Sequence, residues 1–158
     1  MYGNIAMQSS PMKRIESHKD LIVWQKAIKL AGRIYTATRQ LPSEERFGLN
    51  SQLRRAAVSI PSNIAEGAAR RNRTEFLQFL HIARGSLSEL ETQMMIALEQ
   101  ELVTPETTAL EDIAEVGRLL NGLISKLRSS HREAHANACS PGAITRVADA
   151  HSELTANR

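Results

Sequence analysis

A chain of 158 residues has the length of one domain with a real core, and 42% apolar residues exclude wholesale disorder. Aromatics at 4% leave the core to Leu, Ile, Val, Ala and Met, which suits helices better than a sheet, and a single cysteine, Cys139, excludes an internal disulfide. The net charge of +3 hides a division: residues 1–84 carry +8 and residues 85–158 carry −5. This is either one basic region able to attract a polyanion or a set of oppositely charged helices that neighbour each other.

Residues 1–17 read as a flexible arm without the apolar run of a signal peptide. No stretch approaches the roughly 18 to 20 apolar residues that would span a membrane, so the expectation is a soluble cytoplasmic protein with no membrane partner. From Asp20 a period appears. Leu21, Trp24, Ile28, Ala31, Tyr35 and Thr38 recur at steps of three and four, which predicts a first helix with Asp20 as N-cap and Pro42 as stop. A second helix follows Gly48, with Leu49, Leu53, Ala56, Ile60, Ile64 and Gly67 on one face and a kink or break at Pro61.

The third helix opens near residues 72–74. Phe76, Leu80, Ala83, Leu87, Leu90, Met94 and Ala97 form a heptad seam, while Leu77, Ile82, Met95, Ile96 and Leu98 make a second apolar set. A helix apolar on more than one face is either central in its bundle or buried against another subunit. Thr104-Pro105 reads as the start of a fourth helix, whose seam is Leu110, Ile113, Gly117, Leu120, Ile124 and Leu127. Short connections make neighbours antiparallel, so the expected fold is an all-α, antiparallel up-and-down four-helix bundle over residues 18–130, with a flexible tail at 131–158.

The densest basic feature is Arg54 and Arg55 together with Arg70, Arg71 and Arg73, the last three where helix two gives way to helix three. A guanidinium fork matches phosphate oxygens, and the amides that open helix three add partial positive charge. The alternative is a solvated loop with local ion pairs such as Arg71 with Glu75. The segment SIPSNIAEG puts Ser59, Asn63 and Glu66 on one stripe, opposite a helix that carries Arg84, Ser86, Glu89 and Glu91. That composition reads as a structural polar layer of Ser59, Asn63, Glu66 and Glu89, with a Glu66–Glu89 carboxylate pair as the only catalytic alternative. No histidine suggests a triad, so the expectation is no enzyme, no catalytic residue and no cofactor. His131, His135 and Cys139 lie four apart, but a tail without a fourth ligand makes adventitious spacing the better reading, and no metal is expected. Gly85 and Gly117 suggest close approach of two helix backbones, and Trp24 a packing anchor.

The blocks DLIVWQKAIKLAGRIY, RFGLNSQLRRAAVSIPSNIAEGAAR and EFLQFLHIARGSLSELETQ resemble the 23S rRNA intervening-sequence protein family, also called four-helix bundle proteins. The resemblance covers about residues 18–128. It implies a bacterial origin, an up-and-down bundle and assembly into a homopentameric ring, which also accounts for the surplus apolar surface of helix three. A related protein, the accessory variability determinant of diversity-generating retroelements, is a basic ring that binds nucleic acid and a reverse transcriptase. Carried to this chain, that implies polyanion contact at Arg54, Arg55, Arg70, Arg71 and Arg73. The expected function is a non-enzymatic, ring-forming accessory protein whose partners are copies of itself and RNA or DNA. The alternative is a protein–protein scaffold with no nucleic-acid role.

Overall fold

The computed structural model describes the backbone of residues 17–138 and the side chains of all of these except Arg46 and residues 130–138. Four helices carry the fold: α1 (Ile22–Ala37), α2 (Leu49–Ala68), α3 (Arg73–Glu99) and α4 (Leu110–Ala138). Among the described residues there is no strand. The expected arm therefore lies almost wholly outside the described residues, as do residues 139–158 of the expected tail, while the α4 helix runs on to Ala138.

Local chemistry sets the ends of each element, twice in a way the sequence reading did not anticipate. Asp20 does not cap α1. It closes a short 3-10 turn, His18–Asp20, where its carboxylate accepts from the Ser17 amide at 3.1 Å and the Ser17 hydroxyl accepts from Lys19. Similarly, Thr104 and Pro105 do not begin α4. The Thr104 carbonyl accepts from the Thr107 and Thr108 amides, a turn that occupies those donors before the helix begins at Leu110. The α3 start agrees with expectation, since Asn72 accepts from the Thr74 amide at 2.8 Å. Its end is a Schellman arrangement in which Glu101 (φ 55°) is left-handed, its amide bonds Leu98 and the Leu102 amide bonds Ala97.

Inside these limits the core follows from periodicity. On α2 the buried set is Leu53, Ala56, Ala57, Ile60, Pro61, Ile64 and Gly67, close to the expected seam. The helix runs unbroken through Pro61, whose ring is buried against α1 although it cannot donate to the carbonyl four residues back. On α3 the heptad seam is buried from Leu80 to Ala97, with Phe76 half-buried. On α4, Ile113, Val116, Leu120 and Ile124 point inward.

The α1 seam is different. Val23, Ala27, Leu30, Ile34 and Ala37 fill the core, whereas Trp24, Ile28, Ala31 and Tyr35 lie one residue on, about 100° round the helix. Both series have the same spacing, and the helix carries two apolar stripes where one was expected. The inner stripe fills the core, while the outer one lies along α2, with Trp24 and Ala31 half-buried there and the two ends of the expected seam, Leu21 and Thr38, buried.

Each helix packs against two others, in the cyclic order α1–α2–α3–α4 and back to α1, and α2 with α3 share the most extensive interface. Cross-helix contacts show that neighbours run antiparallel: Gln52 with Gln93 and then Ser59 with Ser86 between α2 and α3, Lys26 with Glu115 and then Arg33 with Asp112 between α1 and α4, His81 early in α3 with Arg128 late in α4, and Arg54 early in α2 with Thr38 just past the end of α1. The result is a four-helix bundle with its core along the central axis.

Candidate nucleic-acid interface and the polar seam

Arg54 and Arg55 lie near the start of α2, and Arg70, Arg71 and Arg73 lie at its far end. Sixteen residues separate Arg54 from Arg70, which at about 1.5 Å per residue is ~24 Å along the bundle. The five arginines therefore form two groups and not one patch. Arg54 is committed to the fold: its Nε donates to the Thr38 hydroxyl at 2.8 Å and its guanidinium lies 4.9 Å from the centre of the Tyr35 ring. Arg55 is more exposed and stands 3.9 Å from a Glu89 oxygen, a weak surface pair.

The α2–α3 turn holds the other group. Arg70 donates to Glu66 at 2.7 Å, one turn back on the same helix, and its guanidinium lies over the Phe79 ring at 5.1 Å. Arg71 and Arg73 are exposed, and neither makes an ion pair among the described residues, so the expected alternative of Arg71 with Glu75 is not formed. Arg73 is the first residue of α3, a helix of 27 residues whose opening amides carry positive partial charge.

Between α2 and α3 a polar seam does cross the interface, with a membership that differs from the expected one. The Ser59 and Ser86 hydroxyls are 2.9 Å apart, and the Asn63 amide donates to the Ser59 carbonyl and hydroxyl at 2.8 and 3.0 Å. One turn and more away, the Gln93 amide donates to Glu89 at 2.9 Å and approaches Gln52 at 3.4 Å. Glu66 is not part of this seam; Arg70 takes it to the outer surface. The Ser59–Ser86 register and the packing of Gly67 against Phe79 put Glu66 ten residues from Glu89 along the interface, about 15 Å. No carboxylate pair forms, and the catalytic alternative loses its geometry.

Two members of the seam, Gln52 and Gln93, were not singled out from the sequence. A signal was there, since Ser86 and Gln93 lie seven apart and so share a face in the middle of an apolar run. Gln93 is 7% exposed and its carbonyl oxygen has no partner, because Glu89 fixes the amide with its N–H₂ outward. The close approach expected at Gly85 and Gly117 occurs instead at Gly67. A Cβ there would stand 2.7 Å from that of Phe79 and 2.8 Å from the Phe76 ring, whereas Gly85 meets nothing within 4 Å and Gly117 meets only an ordinary contact.

Other candidates carry less. His81 lies on the α3–α4 side with its Nε2 2.9 Å from an Arg128 nitrogen, and burial together with the charges of Arg84 and Arg128 lowers its pKa. Trp24 is half-buried, with His18 edge-on at 5.0 Å. The side chains of His131, His135 and Cys139 lie outside the described residues. No group of three candidate metal ligands occurs among the described residues, and no helix there is long and apolar enough to cross a membrane.

Comparison with known proteins places this arrangement. A crystal structure of a protein of unknown function from the S23 ribosomal protein family of Bacteroides thetaiotaomicron is similar, with a TM-score of 0.62 and 29% identity. The match covers 68% of this chain and 98% of that one. No functionally curated protein matches. A family model for the 23S rRNA-intervening sequence protein matches residues 19–122, which take in α1, α2, α3 and the first part of α4, and the chain belongs to that family.

Proposed function

We propose that the chain is a non-enzymatic, cytoplasmic binding protein that assembles into a homopentameric ring and contacts RNA or DNA through the α2–α3 end of the bundle. The observation that carries this reading is the pair of exposed arginines, Arg71 and Arg73, that no carboxylate neutralises among the described residues. They stand beside Arg70 at the positive end of a long helix. One such end is a weak phosphate site. Cyclic assembly would bring every copy of the α2–α3 turn to the same face of the ring, where weak contacts to one polyanion multiply. Contact with phosphate rather than base edges is the expected mode, because no aromatic residue is interleaved with these arginines for stacking.

The test is a gel-shift titration with RNA and with DNA at several salt concentrations. Affinity is expected to fall as salt rises, and replacing Arg71 and Arg73 with Ala should reduce the logarithmic salt slope by about 1 for each phosphate that is no longer bound. Absence of binding at low salt would overturn the reading. The second reading is a protein scaffold with no nucleic-acid role, favoured by exposed apolar side chains on α1 and α3. Pull-down from nuclease-treated lysate separates the two, since only protein partners survive that treatment.

A further inference from the structure

The division of the chain into a basic and an acidic half does not survive folding. Arg128 comes from the acidic half, on α4, and stands beside His81 and Arg84 of α3. The His81 Nε2 lies 2.9 Å from the Arg128 guanidinium, and Arg84, three residues on, is one turn away on the same helix. Arg118 adds a further cation from α4: Gly117 next to it packs on Leu87, which puts Arg118 within about one turn of Arg84 in height. All three arginines are exposed, and none makes an ion pair among the described residues. The group also continues the basic end of the bundle. Arg73 and Arg84 are separated by three turns of α3, so they share one stripe about 16 Å long, with His81 between them. The stripe ends two turns beyond Arg84, at Glu91.

The contact between His81 and Arg128 has a direction. An arginine carries donors only, so the Nε2 accepts and the imidazole is neutral, with its proton on Nδ1. Protonation turns Nε2 into a second donor. The contact then holds two donors and no acceptor, and an anion between them supplies the acceptor both need. A phosphate group suits the place, because its oxygens match the guanidinium fork and take charge-assisted bonds from an imidazolium. Among the described residues the charged groups that face His81 are Arg84 from its own helix and Arg128 from α4, both cations. Burial first, then these two charges, hold its pKa down.

Resting on the nucleic-acid reading above, we infer that a phosphate group seats between His81, Arg84 and Arg128, and that an RNA or DNA backbone runs from the α2–α3 end along the α3–α4 face. Arg71 and Arg73 hold one end of this track and Arg118 lies at the other. Binding takes up a proton at His81, since the phosphate favours the imidazolium. Affinity therefore rises as the pH falls through the range in which the ring titrates. The gain is about tenfold for each unit by which the bound anion raises the His81 pKa.

The experiment is an NMR titration of the histidine side chains in the full chain, with His81→Gln to assign the His81 signal and circular dichroism to check that each variant stays helical. It is run at constant ionic strength in chloride, in inorganic phosphate, and with a short RNA or DNA duplex. Phosphate and duplex are each expected to raise the His81 pKa. The double variant Arg84→Gln, Arg128→Gln starts from a higher pKa, because two cations are gone, and should show no further rise. Gel shifts at a pH below and a pH above the His81 titration should show tighter binding at the lower one, and His81→Gln should remove most of that difference. A His81 pKa that neither probe moves overturns the site. A duplex that binds the double variant as well as the parent, and weakens only when Arg71 and Arg73 are replaced, overturns this inference and leaves the α2–α3 reading standing. A rise in phosphate with no duplex bound at low salt leaves a site for free phosphate and overturns the backbone track together with the nucleic-acid reading.

Discussion

The α2–α3 and α1–α4 interfaces do the same job by different means. The first is tight and carries one weak ion pair, Arg55 with Glu89: Gly67 lets Phe76 and Phe79 come close, and the Ser59–Ser86 and Gln93–Gln52 hydrogen bonds cross it. The second is bordered by two ion pairs, Lys26 with Glu115 and Arg33 with Asp112, each with at least one side chain a third or more exposed. Exposed pairs of this kind are typically worth 0 to 1 kcal/mol, whereas each buried Leu or Ile contributes several times that. The lesson is that burial, to which all four helices contribute, carries the stability of the bundle, while the charges beside α1 and α4 orient the two helices for little energy.

Several substitutions break or sharpen this contrast. The largest effect belongs to Ile60→Ala on the fully buried face of α2, expected to cost about 3 kcal/mol through reduced burial and the cavity left behind; thermal and urea unfolding measure it. Next is Gly67→Ala, expected to cost about 2 kcal/mol because Phe79 must move away from the new methyl, and a neutral result would mean the α2–α3 approach is looser than described. Gln93→Leu sharpens the comparison in the other direction. It removes a buried carbonyl with no partner, and a gain of about 1 kcal/mol in urea unfolding is expected. A double-mutant cycle on Lys26 and Glu115 should return a coupling of about 0.5 kcal/mol, and a value several times larger would erase the contrast.

The smallest effect is a pH dependence on the α3–α4 side. Burial first, then Arg84 and Arg128, hold the His81 pKa below its ordinary 6.5. The unfolded chain therefore takes up the proton first as the pH falls. The stability that neutral His81 contributes is fully present above pH 6.5 and is lost as the pH drops below it toward the folded-state value. His81→Gln should flatten that part of the stability profile relative to the parent chain, and an unchanged profile would remove His81 as its source.

Much of the fold was legible along the chain. The α3 heptads, the start of α3 near residues 72–74 and the inward face of α2 need only local spacing, and each is found where the pattern places it. The site was legible in composition and much less in geometry. Five arginines look like one cluster in the sequence, but a helix of 20 residues carries two of them to one end and leaves three near the other. Ser59, Asn63 and Glu89 were visible as a polar layer; Gln52 and Gln93 were not, because a glutamine beside an apolar seam looks like an ordinary surface residue until the partner helix covers it.

The four helical segments, their antiparallel neighbours and an apolar core are thus properties of this sequence alone, because spacing at threes and fours and short connections constrain each segment locally. Which of two equally spaced stripes on α1 turns inward is decided only by the packed bundle. So is the glycine that permits close contact, and so is the separation of Glu66 from Glu89. These depend on distances between helices that no single helix specifies, and on the choice among alternatives that local periodicity leaves equal in energy until all four are packed together.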